Sequence, residues 1–220
     1  MAPELERWAG DPRLGVNPAL VAALLAKESG FEARALSGGG AYGMAQLTPA
    51  ADTDLRTRAG TPLFAWALPE LERWPRDSVL RAGGAGPGAG GDSAALARAL
   101  GRGRALADSV PPAQAARADY LLDPVLSARA ATIWLRMLAE IWTSDSWPGA
   151  YGSLAREKVN AGAPLTESEL LELVVVAYNQ GAQYVRQLVD RWGADWTRHL
   201  DPEPADYLDR VQAYTTRFQR

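Results

Sequence analysis

Asn17-Pro18-Ala19-Leu20-Val21-Ala22-Ala23-Leu24-Leu25-Ala26-Lys27-Glu28-Ser29-Gly30 is the stretch on which the reading of this chain turns. It predicts one strongly apolar helix. Asn17 is a good N-cap, Pro18 suits the first helical position, and Gly30 suits the left-handed residue that ends a helix. Leu20, Leu24 and Glu28 follow one another at four-residue intervals, so they share a face, and the apolar content makes that face the buried one. A carboxylate there is disfavoured in its charged form by apolar neighbours and by the negative end of the helix dipole. The dipole supplies only about 0.3–1 kcal/mol, less than one pKa unit, so burial has to supply most of any large shift. A carboxyl protonated near neutral pH is what a general acid needs. The same position also suits an ordinary glutamate that faces solvent or pairs with Lys27, Arg34 or Arg56.

Composition removes several classes of function. The 220 residues fit one domain, or one domain with an insertion, and 47% hydrophobic content is ample for a core. A net charge of −3 and an isoelectric point near 5.3 argue against a nucleic-acid binder that works by phosphate neutralisation. There is no cysteine, so thiolate chemistry and disulfides are excluded. The single histidine, His199, lies in the polar run Trp196-Thr197-Arg198-His199-Leu200, where a surface role is expected. Chemistry therefore rests on carboxylates, hydroxyls and amides, and no metal or cofactor is expected. No stretch reaches the roughly 20 apolar residues needed to span a bilayer. Met1-Ala2-Pro3-Glu4-Leu5-Glu6-Arg7 does not have the basic start and apolar core of a signal peptide. Either the protein works where it is made or an export signal has been lost.

The rest of the chain predicts an all-α fold. A glycine-rich turn, Ser37-Gly38-Gly39-Gly40-Ala41-Tyr42-Gly43, is followed by a short segment to Pro49. From about Asp52 to Asp119 the pattern loosens, and residues 82–92 form a Gly-rich loop expected to be flexible. Ser93 is a plausible N-cap for a short helix through Leu106, and Pro111-Pro112 ends that region. Leu122 to Trp142 is predicted as a long amphipathic helix, with Leu126, Ile133, Trp134, Leu138 and Ile141 available to the core. Thr166-Glu167-Ser168-Glu169 is a capping box that opens a helix through Asn179. Val174 to Val176 are β-branched, but the capping box favours a buried helix over a strand. Tyr207 to Phe218 reads as the final helix.

Several of these elements carry a joint pattern. Glu28-Ser29-Gly30-Phe31, then Ser37-x-x-Gly40-Ala41-x-Gly43, then Gln46 and Pro49, resembles the first signature of lytic transglycosylases of the soluble, Slt-like type, whose usual form is E-S-x-F followed by S-x-x-G-A-x-G-L-M-Q-x-x-P. Ala177-Tyr178-Asn179-Gln180-Gly181 is similar to the A-Y-N-A-G motif of that family. Glu203-x-x-x-Tyr207-x-x-x-Val211 resembles its closing element, and Asp123-Pro124 with Trp134-Leu135 resembles the intervening D-P and Y-L segment. The elements occur in the family's order over residues 17–51 and 122–218. There are departures. Gly43-Met44-Ala45-Gln46 stands for G-L-M-Q, Thr48 for an apolar residue, and Gln180 and Ala182 for the alanine and proline of A-Y-N-A-G-P. The segment between Ala51 and Asp123 is also much longer than the family usually needs.

The resemblance implies a lysozyme-like catalytic domain over residues 1–220, with residues 52–120 as an insertion. It also implies a groove for the glycan strand of peptidoglycan and cleavage of the β-1,4 bond between N-acetylmuramic acid and N-acetylglucosamine. Glu28 would be the sole acid and base, leaving 1,6-anhydro ends, and substrate-assisted glycosidases need only one carboxylate. Ser37, Gln46, Tyr178, Asn179 and Glu203 correspond to the family's substrate-binding or orienting positions. Ser37 also suits turn chemistry, Gln46 solvent exposure, Tyr178 a structural role and Glu203 a surface ion pair. Gly40, Ala41 and Gly43 suit close backbone approach. Among the eight tryptophans, Trp66, Trp74, Trp142 and Trp147 lie where a sugar-stacking role can be considered, though packing is the commoner use.

The same scaffold supports two other readings. A hydrolytic muramidase similar to goose-type lysozymes would need a second carboxylate, for which Asp52 or Asp54 are candidates. A non-catalytic peptidoglycan-binding module would keep the groove without turnover. Either way the expected setting is the cell envelope, periplasm or extracellular space, with a secretion-system or phage-tail context compatible. Thr61 to Trp74 and Ser93 to Leu106 are expected to pack beside the groove.

Overall fold

A computed structural model describes residues 14–37, 40–71 and 122–219. They are mainly helical, and among them strand pairing is confined to the isolated bridges Leu36 to Tyr42 and Tyr42 to Leu47. The elements are α1 (Pro18–Ser29), α2 (Pro49–Ala59), a 3-10 turn (Pro62–Phe64), α3 (Leu68–Leu71), α4 (Pro124–Thr143), α5 (Tyr151–Val159), α6 (Glu167–Gln180), α7 (Ala182–Trp192), a second 3-10 segment (Gly193–His199) and α8 (Pro202–Phe218). The Gly-rich loop 82–92, the helix expected from Ser93, Pro111-Pro112 and Trp74 lie outside the described residues. The described residues form two compact units. One holds 24–37, 40–71 and 122–132; the other holds 14–23 and 133–219.

In the first unit, α1 ends as its sequence predicts. The Gly30 N–H reaches Ala26 O at 3.0 Å, and Gly30 takes φ +61°, a conformation that costs glycine nothing for want of a Cβ. Phe31 follows at φ +67°, which is uncommon for a bulky residue. The next helix, α2, is one the sequence pattern did not reveal. Thr48 caps it, its Oγ1 accepting from Ala51 N at 3.0 Å, and Pro49 takes the first turn. Along α2 the ion pairs Asp52–Arg56 (3.1 Å) and Asp54–Arg58 (2.7 Å) each join residues one turn apart, while Leu55 and Ala59 are buried. Arg56 also donates to Leu71 O at 3.0 Å, so α2 is tied to α3, and Phe64, Ala67 and Leu71 are buried alongside. Asp123 caps α4 by accepting from Val125 N (2.8 Å) and Leu126 N (3.0 Å).

The second unit is built on α6. Its capping box is complete: Thr166 accepts from Glu169 N, and Glu169 accepts from Thr166 N at 2.7 Å. Leu173 through Ala177 are all buried, so the β-branched run lies inside a helix. Helices α5 and α7 were not foreseen. The residue before α5, Ala150, is left-handed and gives no side-chain cap. Gly152 lets α5 approach Ser144, because a Cβ there would stand 2.6 Å from Ser144 O. Tyr151 then packs edge-on against Trp142 with ring centres 5.1 Å apart, and Arg186 of α7 covers its ring at 5.5 Å. The final helix starts at Pro202, five residues earlier than expected. Pro202 and Pro204 both fall in the first turn, where no helical N–H is required of them. The predicted core positions Leu126, Ile133, Trp134, Leu138 and Ile141 are all buried.

Glu172 on α6 is held against its charge. Burial raises its pKa above the usual glutamate value, and Glu169 one turn away adds to the rise, against a hydrogen bond from Gln212 that lowers it. A raised folded-state pKa means that the native state holds this proton more tightly than the unfolded chain does. Its stabilising contribution is therefore complete below the unfolded value and is lost as pH rises through the folded one. Glu172→Gln should raise the thermal midpoint at pH 7, and the gain should vanish on acidification below about pH 4, near the ordinary glutamate value. Thermal unfolding followed by circular dichroism at the two pH values checks this.

Candidate active site

Glu28 occupies the last turn of α1 and is half-buried, whereas Leu24 on the same face is fully buried and Leu20 nearly so. The residue beside it, Ser29, reaches two carbonyls: Met44 O at 2.9 Å and Leu25 O at 3.2 Å. With one proton to donate, the hydroxyl favours the shorter contact, which joins the end of α1 to the loop carrying the motif glycines. That loop is closed by the bonds Ser37 N to Ala41 O (3.1 Å), Gly43 N to Ala35 O (2.9 Å) and Tyr42 N to Leu47 O (3.0 Å).

Ser37 and Gln46 brace this loop from within. Ser37 Oγ accepts from Ala41 N at 2.9 Å. Gln46 Nε2 donates to Gly43 O at 2.8 Å and to Ala35 O at 3.1 Å, which engages both of its amide hydrogens. Gln46 also holds φ +49°, a conformation that costs most residues energy, and its two side-chain bonds offset that cost. The hydroxyl proton of Ser37 and the Oε1 of Gln46 are the groups that each has left for a ligand.

A second anchor was not apparent in the sequence. Ala45 N lies in a buried stretch and donates to Ser127 Oγ on α4 at 3.0 Å; Ser127 itself is fully buried. The loop is thus fixed at two consecutive residues, Met44 through Ser29 and Ala45 through Ser127. A serine at a core-facing position of an amphipathic helix is the signal that could have identified this contact, because a buried hydroxyl needs a partner.

In the second unit, Tyr178 and Asn179 are half-buried near the end of α6, and Glu203 is exposed in the first turn of α8. Asn179 Nδ2 donates to Glu203 Oε1 at 3.3 Å. Gln180 Nε2 lies 2.7 Å from both Glu203 Oε2 and Asn179 Oδ1. The structure therefore brings Asn179 and Glu203 together through direct contact, with Gln180 bridging them. Ser37 and Gln46 meet in the loop that Ser29 ties to the helix of Glu28.

Asp52 is buried in its pair with Arg56, and Asp54 is held by Arg58. Trp142 is fully buried, while Trp66 and Trp147 are half-buried. His199 is exposed and stacks on Trp192 with ring centres 3.8 Å apart. Among the described residues no group of three His, Cys, Asp or Glu side chains could hold a metal ion, and no helix is long and apolar enough to cross a membrane.

Comparison with known proteins bears out the resemblance. Residues 9–68 match the family model of the transglycosylase SLT domain. The mainly helical structure accords with the lysozyme-like, all-α class of that domain. The match contains the first signature, from Glu28 to Pro49, while Tyr178, Asn179 and Glu203 lie beyond it. No curated protein and no solved structure matches the chain.

Removing the α4 anchor tests the loop's dependence on it. Ser127→Ala removes the buried hydroxyl that accepts from Ala45 N, which should cost about 1–3 kcal/mol. Urea unfolding should show that loss as a lower midpoint at unchanged slope. A midpoint equal to that of the parent would mean that the loop finds another partner.

Proposed function

We propose that this chain is a peptidoglycan lytic transglycosylase in which Glu28 serves in turn as acid and base. The observation that carries this reading is the place of Glu28. It lies within the stretch matched to the transglycosylase SLT domain, half-buried at the end of α1, next to the serine that fastens the motif loop. In the first step Glu28 protonates the glycosidic oxygen as the bond from C1 of N-acetylmuramic acid to O4 of N-acetylglucosamine breaks. The carbonyl oxygen of the 2-acetamido group bonds to C1 as the leaving group departs, so no carboxylate nucleophile is required. Glu28, now a carboxylate, takes the proton of the C6 hydroxyl. O6 then attacks C1 and displaces the acetamido oxygen. Water is not consumed, and the product ends in a 1,6-anhydro ring.

Ser37, Gln46, Tyr178, Asn179 and Glu203 are proposed to contact the glycan. For Ser37 and Gln46 the groups left by their loop bonds are one hydroxyl proton and one amide oxygen. The hydrolytic alternative asks for a second carboxylate to activate water, and both candidates, Asp52 and Asp54, are engaged by arginines on their own helix. The substrate places the activity in the cell envelope or outside the cell.

Glu28→Gln keeps the size of the side chain and removes its proton chemistry. Because general acid and base catalysis contributes about 10²- to 10⁴-fold, release of soluble fragments from purified peptidoglycan should fall by about that factor. The thermal midpoint should stay close to that of the parent. Retained turnover in this variant would overturn the assignment.

A further inference from the structure

Gln180 stands where the resembling motif carries alanine, a residue with no polar side-chain atom. Here its amide nitrogen makes two contacts of 2.7 Å, one to each neighbour in the cluster. Glu203 in its carboxylate form can only accept, so both Asn179 and Gln180 must turn their NH₂ groups toward it. Asn179 Nδ2 therefore faces Glu203 Oε1, and Gln180 Nε2, bonded to Glu203 Oε2, gives its second hydrogen to Asn179 Oδ1, closing a ring of hydrogen bonds that holds both ends of the Asn179 amide. With alanine at 180, nothing in this cluster would hold Oδ1.

We propose that Gln180 is a positioning residue that locks the Asn179 amide in one orientation for recognising a secondary amide of the substrate. The count of hydrogen-bonding groups defines the ligand. An Asn side chain has two N–H donors and two acceptor lone pairs; one donor is engaged by Glu203 and one lone pair by Gln180. One donor and one acceptor remain, and because the bonds to Glu203 and Gln180 close on the edge shared by Nδ2 and Oδ1, they lie on the two outer edges of the amide in fixed order. Each finds its complement in a secondary amide, whose C=O can accept from the remaining N–H and whose N–H can donate to the remaining lone pair. The acetamido groups of the glycan strand are amides of this class. Preorganisation of this kind lowers the ordering cost of binding and does not require Gln180 to touch the ligand. The inference rests on the reading of the chain as a peptidoglycan-cleaving enzyme.

Gln180 is exposed at the last residue of α6, so its replacement should leave the fold intact. Three variants separate hydrogen bonding from bulk and charge. Gln180→Ala removes the side chain, Gln180→Met keeps its length without a donor, and Gln180→Glu sets a like charge beside Glu203. Loss of one net hydrogen bond corresponds to about 2- to 10-fold in affinity, so Gln180→Ala and Gln180→Met should raise KM for soluble glycan strands by about that factor. Their kcat should stay within about twofold and their thermal midpoints unchanged, while Gln180→Glu should raise KM at least as much. Dissociation constants for the same strands, measured calorimetrically in the Glu28→Gln background, should weaken in parallel.

A Gln180→Met protein with parental KM and affinity would overturn the proposal, as would variants whose kcat and midpoint fall together. If the parent binds strands without cleaving them, the catalytic reading fails, and the dissociation constants still decide the role of Gln180. A parent that neither binds nor cleaves defeats both.

Discussion

A chain that enters an apolar interior must find a partner for every backbone N–H and C=O it buries. The segment from Gly43 to Leu47 meets that requirement with side chains. Ser29 takes the carbonyl of Met44, Ser127 takes the N–H of Ala45, and Gln46 folds back on the carbonyls of Ala35 and Gly43. These contacts fix the loop to the helix that bears Glu28 and to the helix that begins at Pro124. Because Ser29 is the next residue after Glu28, the bond that holds the loop also limits how the end of α1 can move. The position of the candidate acid and the shape of the loop are consequences of one set of hydrogen bonds.

Much of the helical frame was legible from local signals. Asn17, Pro18 and Gly30 bounded α1, and the capping box at Thr166 and Glu169 opened α6 despite its β-branched interior. The helices that escaped notice lack such signals or carry misleading ones. Helix α5 follows a left-handed alanine, and α7 follows a glycine, neither with a side-chain cap. Helix α2 is polar, and its cap, Thr48, stands where the resembling motif has an apolar residue. Helix α8 begins five residues before the expected start, with prolines at 202 and 204 in its first turn, where proline lacks only an N–H that the helix does not use.

The site was legible in part, for a physical reason. Residue types in a motif show which groups are present, but not which of their hydrogen-bonding atoms are already engaged. Ser37 and Gln46 were expected as substrate contacts, and both carry bonds that shape the loop, leaving each with a reduced set of atoms for a ligand. Ser127 gave no motif signal, because the bond it makes spans 82 residues of sequence. Gln180 read as a departure from the motif, and the structure gives it the bridging place between Asn179 and Glu203. The departures at Thr48 and Gln180 thus both have structural uses, one as a helix cap and the other as an amide clamp.

The central claim is that one carboxyl acts twice and that the sugar's own C6 oxygen completes the reaction. The most direct test is mass spectrometry of the soluble fragments released from purified peptidoglycan by the full chain. The account predicts fragments ending in 1,6-anhydro-N-acetylmuramic acid, lighter by one water than the hydrolytic products. Reducing ends at the same positions would contradict it, because they require an activated water that the single-carboxyl mechanism does not employ.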